Sequence, residues 1–562
     1  MRRLPSLLIA TVVLMLTASC GGGGGDPSSA ESPPAMPFND IPTRAQASRM
    51  LGQATFGPRM TEVDRLASTG YTAWLKDQFE KPRKSHRTYI DNIAAKSGQV
   101  PSQNHFYESF WQQAVSGEDQ LRQRVTYALS QIFVISFQDG TLAGYPRGVA
   151  SYYDTLAAHA FGNYRDLLKA VSLHPMMGIY LSSIRNRKES GTQVPDENYA
   201  REVMQLLSIG LYELNQDGSP KLRNNAPIET YTNADISGLA KVFTGWSWAG
   251  PDKSDARFYG AVRATDREWL PMQGYPQFHS TSEKRFLGVA ISGQAGASPE
   301  ASLNAALDRI FNHPNVGPFI GRQLIQRLVT SNPGPQYVAR VAAAFADNGR
   351  GVRGDMKAVI TAVLIDPEAR ANPDPAKTGG GKLREPVLRL THWMRAFNAT
   401  STSARYLVAN LDDPLAALGQ TPMRAPSVFN FYRPGYTPPN TSIARAGLVA
   451  PEMQITAEPS VIGYLNFMQS IIVFGVGTGR DMQPNYNAEI GLADTPQRIL
   501  ERINLLLLAG EMSPQLSGHI TTALNAIPIP TGNPTNAAAA RKNRVHMAVF
   551  LTMASPEYIV QK

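Results

Sequence analysis

One cysteine in 562 residues is the sharpest absence in this chain. With Cys20 alone, an intrachain disulfide and a cysteine-rich metal site are both excluded. The nine histidines are scattered, the closest pair being His159 and His174, and no H-E-x-x-H or similar spacing exists to predict a metal centre or cofactor. No G-x-S-x-G elbow occurs, and Gly379-Gly380-Gly381-Lys382 fails as a phosphate loop because Leu383 replaces the required Ser or Thr. Charged residues make only 18%, and the net charge of +9 is dispersed in short clusters such as Lys81 to Lys84 and Arg185 to Lys188. Without a stripe of basic residues interleaved with aromatics, nucleic acid is not the expected partner. The apolar run Leu7 to Leu16 is too short to cross a bilayer.

That short run has another use. Arg2 and Arg3 precede it and Thr17-Ala18-Ser19 follow it, the layout of a secretory signal over residues 1–19. Small residues directly before a lone cysteine resemble a lipobox, although Leu16 stands one place early, with Thr17 in the usual leucine position. Cys20 is therefore the expected lipidation site, and the mature chain would hold no free thiol. Gly21 to Gly25 and a Pro/Ser-rich stretch to residue 40 read as a tether. The expected product is an exported lipoprotein held on a membrane, the outer one, by its lipid. The remaining 41–562 form the expected body.

In the body, apolar residues recur at helical spacing along Leu121–Ser136, Glu300–Phe311, Phe319–Val329, Tyr337–Asn348, Met356–Leu364, Val387–Phe397, Pro496–Leu508 and Arg544–Met553. The fold class is mainly α: a large multi-helix domain with long loops and at most a few short β-hairpins. The 46 glycines and 41 prolines concentrate turns in two loop-rich regions, 216–297 and 420–460. The repeated S/H/D-P step, as in L-I-D-P-E-A-R and M-A-S-P-E-Y, is helix-start chemistry.

The densest polar pattern is V-P-D-E-N-Y-A-R-E-V-M-Q-L-L-S-I-G, Val194 to Gly210. On a helical wheel Glu197, Arg201 and Gln205 form one row and Asn198 with Glu202 the next, while Tyr199, Val203 and Leu206 lie opposite. Asp196 is placed to cap the first turn. Three readings stay open: an exposed polar face, a buried charge network, or the floor of a cleft.

The same stretch resembles the signature of the bacterial family DUF1800. Similar motifs follow in family order: R-M-L-G-Q-A-T-F-G-P near the start, L-A-K-V-F-T-G-W at 239–246, F-H-S-T-S-E-K-R-F-L-G at 278–288, K-L-R-E-P-V at 382–387 and A-P-S-V-F-N-F-Y-R-P-G-Y at 425–436. The W-H-N-H-F sequence of many members is replaced here by Tyr127 to Phe133, so histidine chemistry does not carry over. The resemblance implies a helical secreted or surface protein and attaches no activity. It also implies a neighbour, an alkaline-phosphatase or sulfatase-like protein encoded nearby. It includes Glu197, Asn198, Arg201 and Glu202; these, and Asp235 outside its motifs, are the candidate catalytic or network residues. Tyr199, Trp246, His279, Lys284, Asn430, Tyr432 and Arg433 are marked for binding.

Two functions are weighed. The first is a binding or assembly protein of the cell surface that engages an extracellular polymer, such as a polysaccharide, or a partner protein. G-W-S-W-A-G and F-N-F-Y-R-P-G-Y would supply aromatic platforms for it. The second is a hydrolase or lyase of a surface glycan, with Glu202 as first general acid or base and Glu197 or Asp235 as second. Arg201 and Arg433 would stabilise negative charge.

Overall fold

Prolines set many of the helix starts. The computed structural model describes residues 40–374 and 379–562. Over them, Pro146, Pro175, Pro299, Pro335, Pro367, Pro386, Pro496, Pro514, Pro534 and Pro556 each stand in the first turn of a helix. A proline there gives up an N–H that has no partner anyway. The preceding side chain closes the cap: Asp366 accepts from the Glu368 N–H at 2.8 Å, and His174 Nδ1 from the Met176 N–H at 3.2 Å. The recurring X-Pro step is thus capping chemistry.

The described residues hold twenty-five α-helices and five two-stranded antiparallel pairs, a mainly α fold. Asp40–Lys562 makes one compact unit. Its two ends meet the middle. The first helix, Arg44–Ala54, packs on Pro496–Leu508, and Ser48 donates to the Leu505 carbonyl at 2.6 Å. Val560–Gln561 pairs antiparallel with Lys382–Leu383. Trp111 and Trp393 lie fully inside, as do the guanidinium side chains of Arg124 and Arg395.

The Leu121–Ser136 helix is shorter than its periodicity predicts, running over Gln120–Ser130. Beyond it the branched run Ile132 to Ile135 stays buried while its backbone turns to other partners. The Phe137 N–H donates to the Met423 carbonyl at 2.8 Å, and Ser136 Oγ to the Ala425 carbonyl at 2.7 Å. A tertiary contact with the 420s loop thus overrides helical spacing. The loop expected over 420–460 is real up to Ala457, apart from short turns at Ser442–Arg445 and Pro451–Ile455. A long helix then starts, Glu458–Phe474.

The 216–297 region carries the expected hairpins. Leu222–Arg223 pairs with Ala226–Pro227 across Asn224 and Asn225, and Lys284–Phe286 with Val289–Ile291 across Leu287 and Gly288. All four turn residues have positive φ, as a tight two-residue turn requires. The second hairpin lies against the helix Asn233–Ala240, so closely that a Cβ on Gly238 would stand 1.6 Å from the Arg285 carbonyl oxygen. Gly238→Ala should therefore push the hairpin off its helix and cost about 1–3 kcal/mol, as overpacking does. A thermal melt of the purified variant checks it.

Candidate functional site

The helix of the opening pattern spans Asn198–Gln205, and its polar residues do not act together. Asp196 precedes it and accepts from the Asn198 N–H at 2.9 Å, while Asn186 holds the Asp196 backbone on both sides. Glu197 accepts from Ser237 Oγ at 2.5 Å and pairs with Arg201 at 3.4 Å, both side chains 40% exposed. That pair is a surface clamp between two helices, worth a few tenths of a kcal/mol. Asn198 is exposed. Tyr199 points the other way, buried edge-on against Phe243, and donates to Ser172 Oγ at 2.7 Å.

Glu202 does not share the outer face with Asn198, because the helix is short and tilted onto Asn233–Ala240. Its carboxyl is buried, and Oε2 has no hydrogen-bond partner among the described residues. Burial raises its pKa, and the charge of Arg201 offsets only part of that. Asp235, the expected second carboxylate, is committed elsewhere. It caps its own helix with Thr232 at 2.7 Å and accepts the Leu287 N–H of the hairpin turn at 2.7 Å. Glu197 and Asp235 are therefore committed to separate partners, and Glu202 is buried apart from both.

Of the binding candidates, most are interior braces. Trp246 and Trp248 are buried, so G-W-S-W-A-G is not an exposed platform. Their loop is fixed by Gly245, where a Cβ would meet the His279 N–H and the Tyr275 carbonyl at 2.8 Å. His279 is sealed, and burial pushes its pKa down to about 4. Neutral His279 donates from Nδ1 to the Thr244 carbonyl at 2.8 Å, leaving Nε2 to accept from Ser302 Oγ at 3.0 Å. Lys284 is also buried and donates to the Ser280 carbonyl at 2.8 Å. Arg433 alone of the 425–436 candidates is exposed, lying over Phe429 at 4.5 Å.

Tyr432 and Asn430 lead to a buried charge cluster that the sequence reading does not anticipate. At its centre Glu385 Oε2 accepts from Gln131 Nε2 at 2.6 Å, Gln420 Nε2 at 2.7 Å, and the hydroxyls of Tyr127 and Tyr432 at 3.1 Å. Beside it Lys382 and Glu452 pair at 2.9 Å with almost no exposure, and Lys382 also donates to the Arg327 carbonyl. Arg124 donates to that same carbonyl and Arg327 to the Gln131 carbonyl, both guanidiniums within the interior. Burial alone would raise the Glu385 pKa, but Lys382, Arg124 and the amide donors outweigh it and hold the carboxyl below its ordinary value. Glu452 is shifted upward by burial despite Lys382. The cluster joins the K-L-R-E-P-V motif, the 425–436 motif and the Gln120–Ser130 helix. The missed signal was Glu385 inside K-L-R-E-P-V, a lone acidic residue among Lys382, Arg384 and Arg389.

An open face lies at the approach to the Asn198 helix. Residues 182–187 and 193–196 border a depression of about 430 Å³. Ser182 and Arg185 hold positive φ of 59° and 64°, a strain tolerated because neighbours fix the backbone. The Arg185 N–H donates to the Trp246 carbonyl, Lys188 to Phe278 and Gly245 to Asn186, at 2.8–2.9 Å. Arg185 and Arg187 are thereby turned outward. Arg187 donates to the hydroxyl of Tyr259 at 3.1 Å and lies over its ring, and Tyr259 is 46% exposed. Gln193, Asn198 and Asp196 complete a polar surface. Of this surface only Asn198 is among the site candidates of the sequence; Tyr259, joined to the lining through Arg187, is not.

The architecture is that of a loop-braced helical body with an internal ionic cluster and a polar surface depression. A family model described as "Protein of unknown function (DUF1800)" matches residues 49–560, and the chain belongs to that family. No curated protein and no solved structure matches it.

Two of the buried glutamates, Glu385 and Glu202, should respond to pH with opposite signs. Glu385 has a depressed pKa, so its stabilisation is complete above the unfolded value, about 4.3, and is lost as pH falls through the folded value. Glu385→Gln should cost about 3–5 kcal/mol at neutral pH, with the difference from wild type shrinking in acid. Glu202 has a raised pKa, so what it contributes is present below about 4.3 and lost as pH rises through the folded value. Glu202→Gln should therefore be more stable than wild type at neutral pH and indistinguishable from it in acid. Melting curves of both variants between acid and neutral pH check the pair.

Proposed function

We propose that this chain is a binding protein of the cell surface, and that the depression at residues 182–196 takes an extracellular polysaccharide. The observation that carries the reading is the half-exposed Tyr259 ring, hydrogen-bonded to Arg187, which itself lines an open, polar depression. An aromatic face accepts the apolar face of a sugar ring. Around it Arg185, Gln193, Asn198 and Asp196 present donors and acceptors suited to hydroxyl or anionic substituents. Small-molecule pockets are mostly apolar and enclosed, and this surface is neither.

Binding is favoured over hydrolysis because the carboxylates nearest the site already have partners. Asp196 holds the Asn198 N–H, and Glu197 is shared between Ser237 and Arg201. Most glycosidases need two carboxyls facing the scissile bond across an open cleft. Tyr259→Ala and Arg187→Ala should each weaken binding of a glycan-array hit at least tenfold while leaving the melting temperature unchanged. Calorimetric titration measures this, and equal affinity in both variants would remove the depression from the account.

The location of this binding follows from Cys20, which lies outside the described residues, as do the expected signal and tether. We infer that Cys20 carries the lipid that holds the body at the outer membrane. Radiolabelled palmitate fed to expressing cells should enter the wild-type chain and not Cys20→Ala. Label retained in the variant would contradict the anchor.

A further inference from the structure

The helix Glu458–Phe474 is apolar on both sides. Its inner side buries Tyr464, Met468, Ile471 and Ile472, with Tyr464 donating to the Met553 carbonyl at 3.0 Å. Its outer side leaves Val461 48%, Ile462 60%, Val473 38% and Phe474 47% exposed. Between Pro459 and Gly479 no residue carries a charge, and the exposed polar residues among them are amides and hydroxyls such as Asn466, Gln469 and Ser470. Gly463 is pressed against the carbonyls of Pro414 and Leu415, which brings Leu415, 64% exposed, to the same patch. Large apolar side chains grouped on an exposed face mark a surface that something covers. Among the described residues nothing covers this one.

We propose that the outer side of Glu458–Phe474 rests on the lipid bilayer and fixes how the body lies there. The helix is too short to cross a bilayer, and no described helix is long and apolar enough to do so. A helix of this length would lie in the interface plane, with Glu458 and Arg480 at its two ends in the headgroup layer. Arg480 stands at its end with its guanidinium 4.3 Å over Phe474, an aromatic and a cation placed together as interfacial residues are. The inference rests in part on the anchor at Cys20. From Cys20 to Asp40 the chain spans at most about 65 Å, against a radius of gyration of about 24 Å for a body of this size. Such a length leaves every face free to turn toward the membrane, so an uncharged apolar one decides the orientation.

The test uses residues 40–562, which make up the compact unit and hold all of the described core. Cys20 is absent from it, so the outcome is independent of lipidation. The protein is sedimented with vesicles of phosphatidylethanolamine and phosphatidylglycerol at low and high salt. Wild type should pellet with the vesicles at both, since the contact is apolar, and Ile462→Glu/Val473→Glu should partition at least tenfold less with an unchanged melting temperature. If that variant misfolds, Gln469→Glu at an exposed position should show the same direction of loss. Wild type left in the supernatant, or variants that pellet equally, would overturn the proposal. So would a wild-type dimer that the double variant splits to monomers without any vesicle binding, which would assign the face to a second copy.

Discussion

A single carboxylate oxygen, Glu385 Oε2, accepts from four donors on three separate stretches of chain. An isolated buried carboxylate is among the most expensive groups a protein can enclose, so its partners must be present together. Tyr127 and Gln131 come from the helix Gln120–Ser130 and its exit, Gln420 from the loop region, and Tyr432 from the aromatic motif. Lys382 and Glu452 add a second buried pair beside them. The long proline-rich loops thereby acquire one arrangement in a fold with little sheet to order them.

This constraint also explains how polar residues divide in the molecule. Those within K-L-R-E-P-V, and Tyr432 of the 425–436 motif, face inward and hold loops to helices, while Arg433 stays outside. Those of the Asn198 helix split, with Asp196, Glu197 and Arg201 outside as caps and clamps and Glu202 inside without a cation bonded to it. The 244–284 region repeats the inward pattern with neutral or half-compensated groups, His279 and Lys284, satisfied by backbone carbonyls. Turned outward are the strained turn from Ser182 to Arg187 with Tyr259, and the apolar outer side of the helix Glu458–Phe474. The first is polar and suits a glycan; the second is apolar and suits a lipid surface.

The helices were legible because apolar spacing and X-Pro caps are local signals. Pro496–Leu508 emerges with the same limits in the sequence and in the structure. Leu121–Ser136 does not, since the Phe137 N–H and Ser136 Oγ bond to the Met423 and Ala425 carbonyls, far along the chain. The site was less legible. The wheel put Glu202 in the row of Asn198, but eight residues tilted against a second helix bury one flank of that row. Trp246 and Trp248 looked like platforms because aromatic loops read alike whether they stand out or fold under. Tyr259 sits in an unremarkable stretch, D-A-R-F-Y-G, and only its pairing with Arg187 sets it apart.

Hydrogen exchange tests the central role of Glu385 most directly. Tyr432→Phe removes one of its four donors while changing little volume. If the carboxylate holds the three stretches as one unit, amides around 131–137 and 420–436 should lose protection together and by the same factor. Loss confined to the immediate neighbours of Tyr432, with 131–137 unchanged, would contradict it.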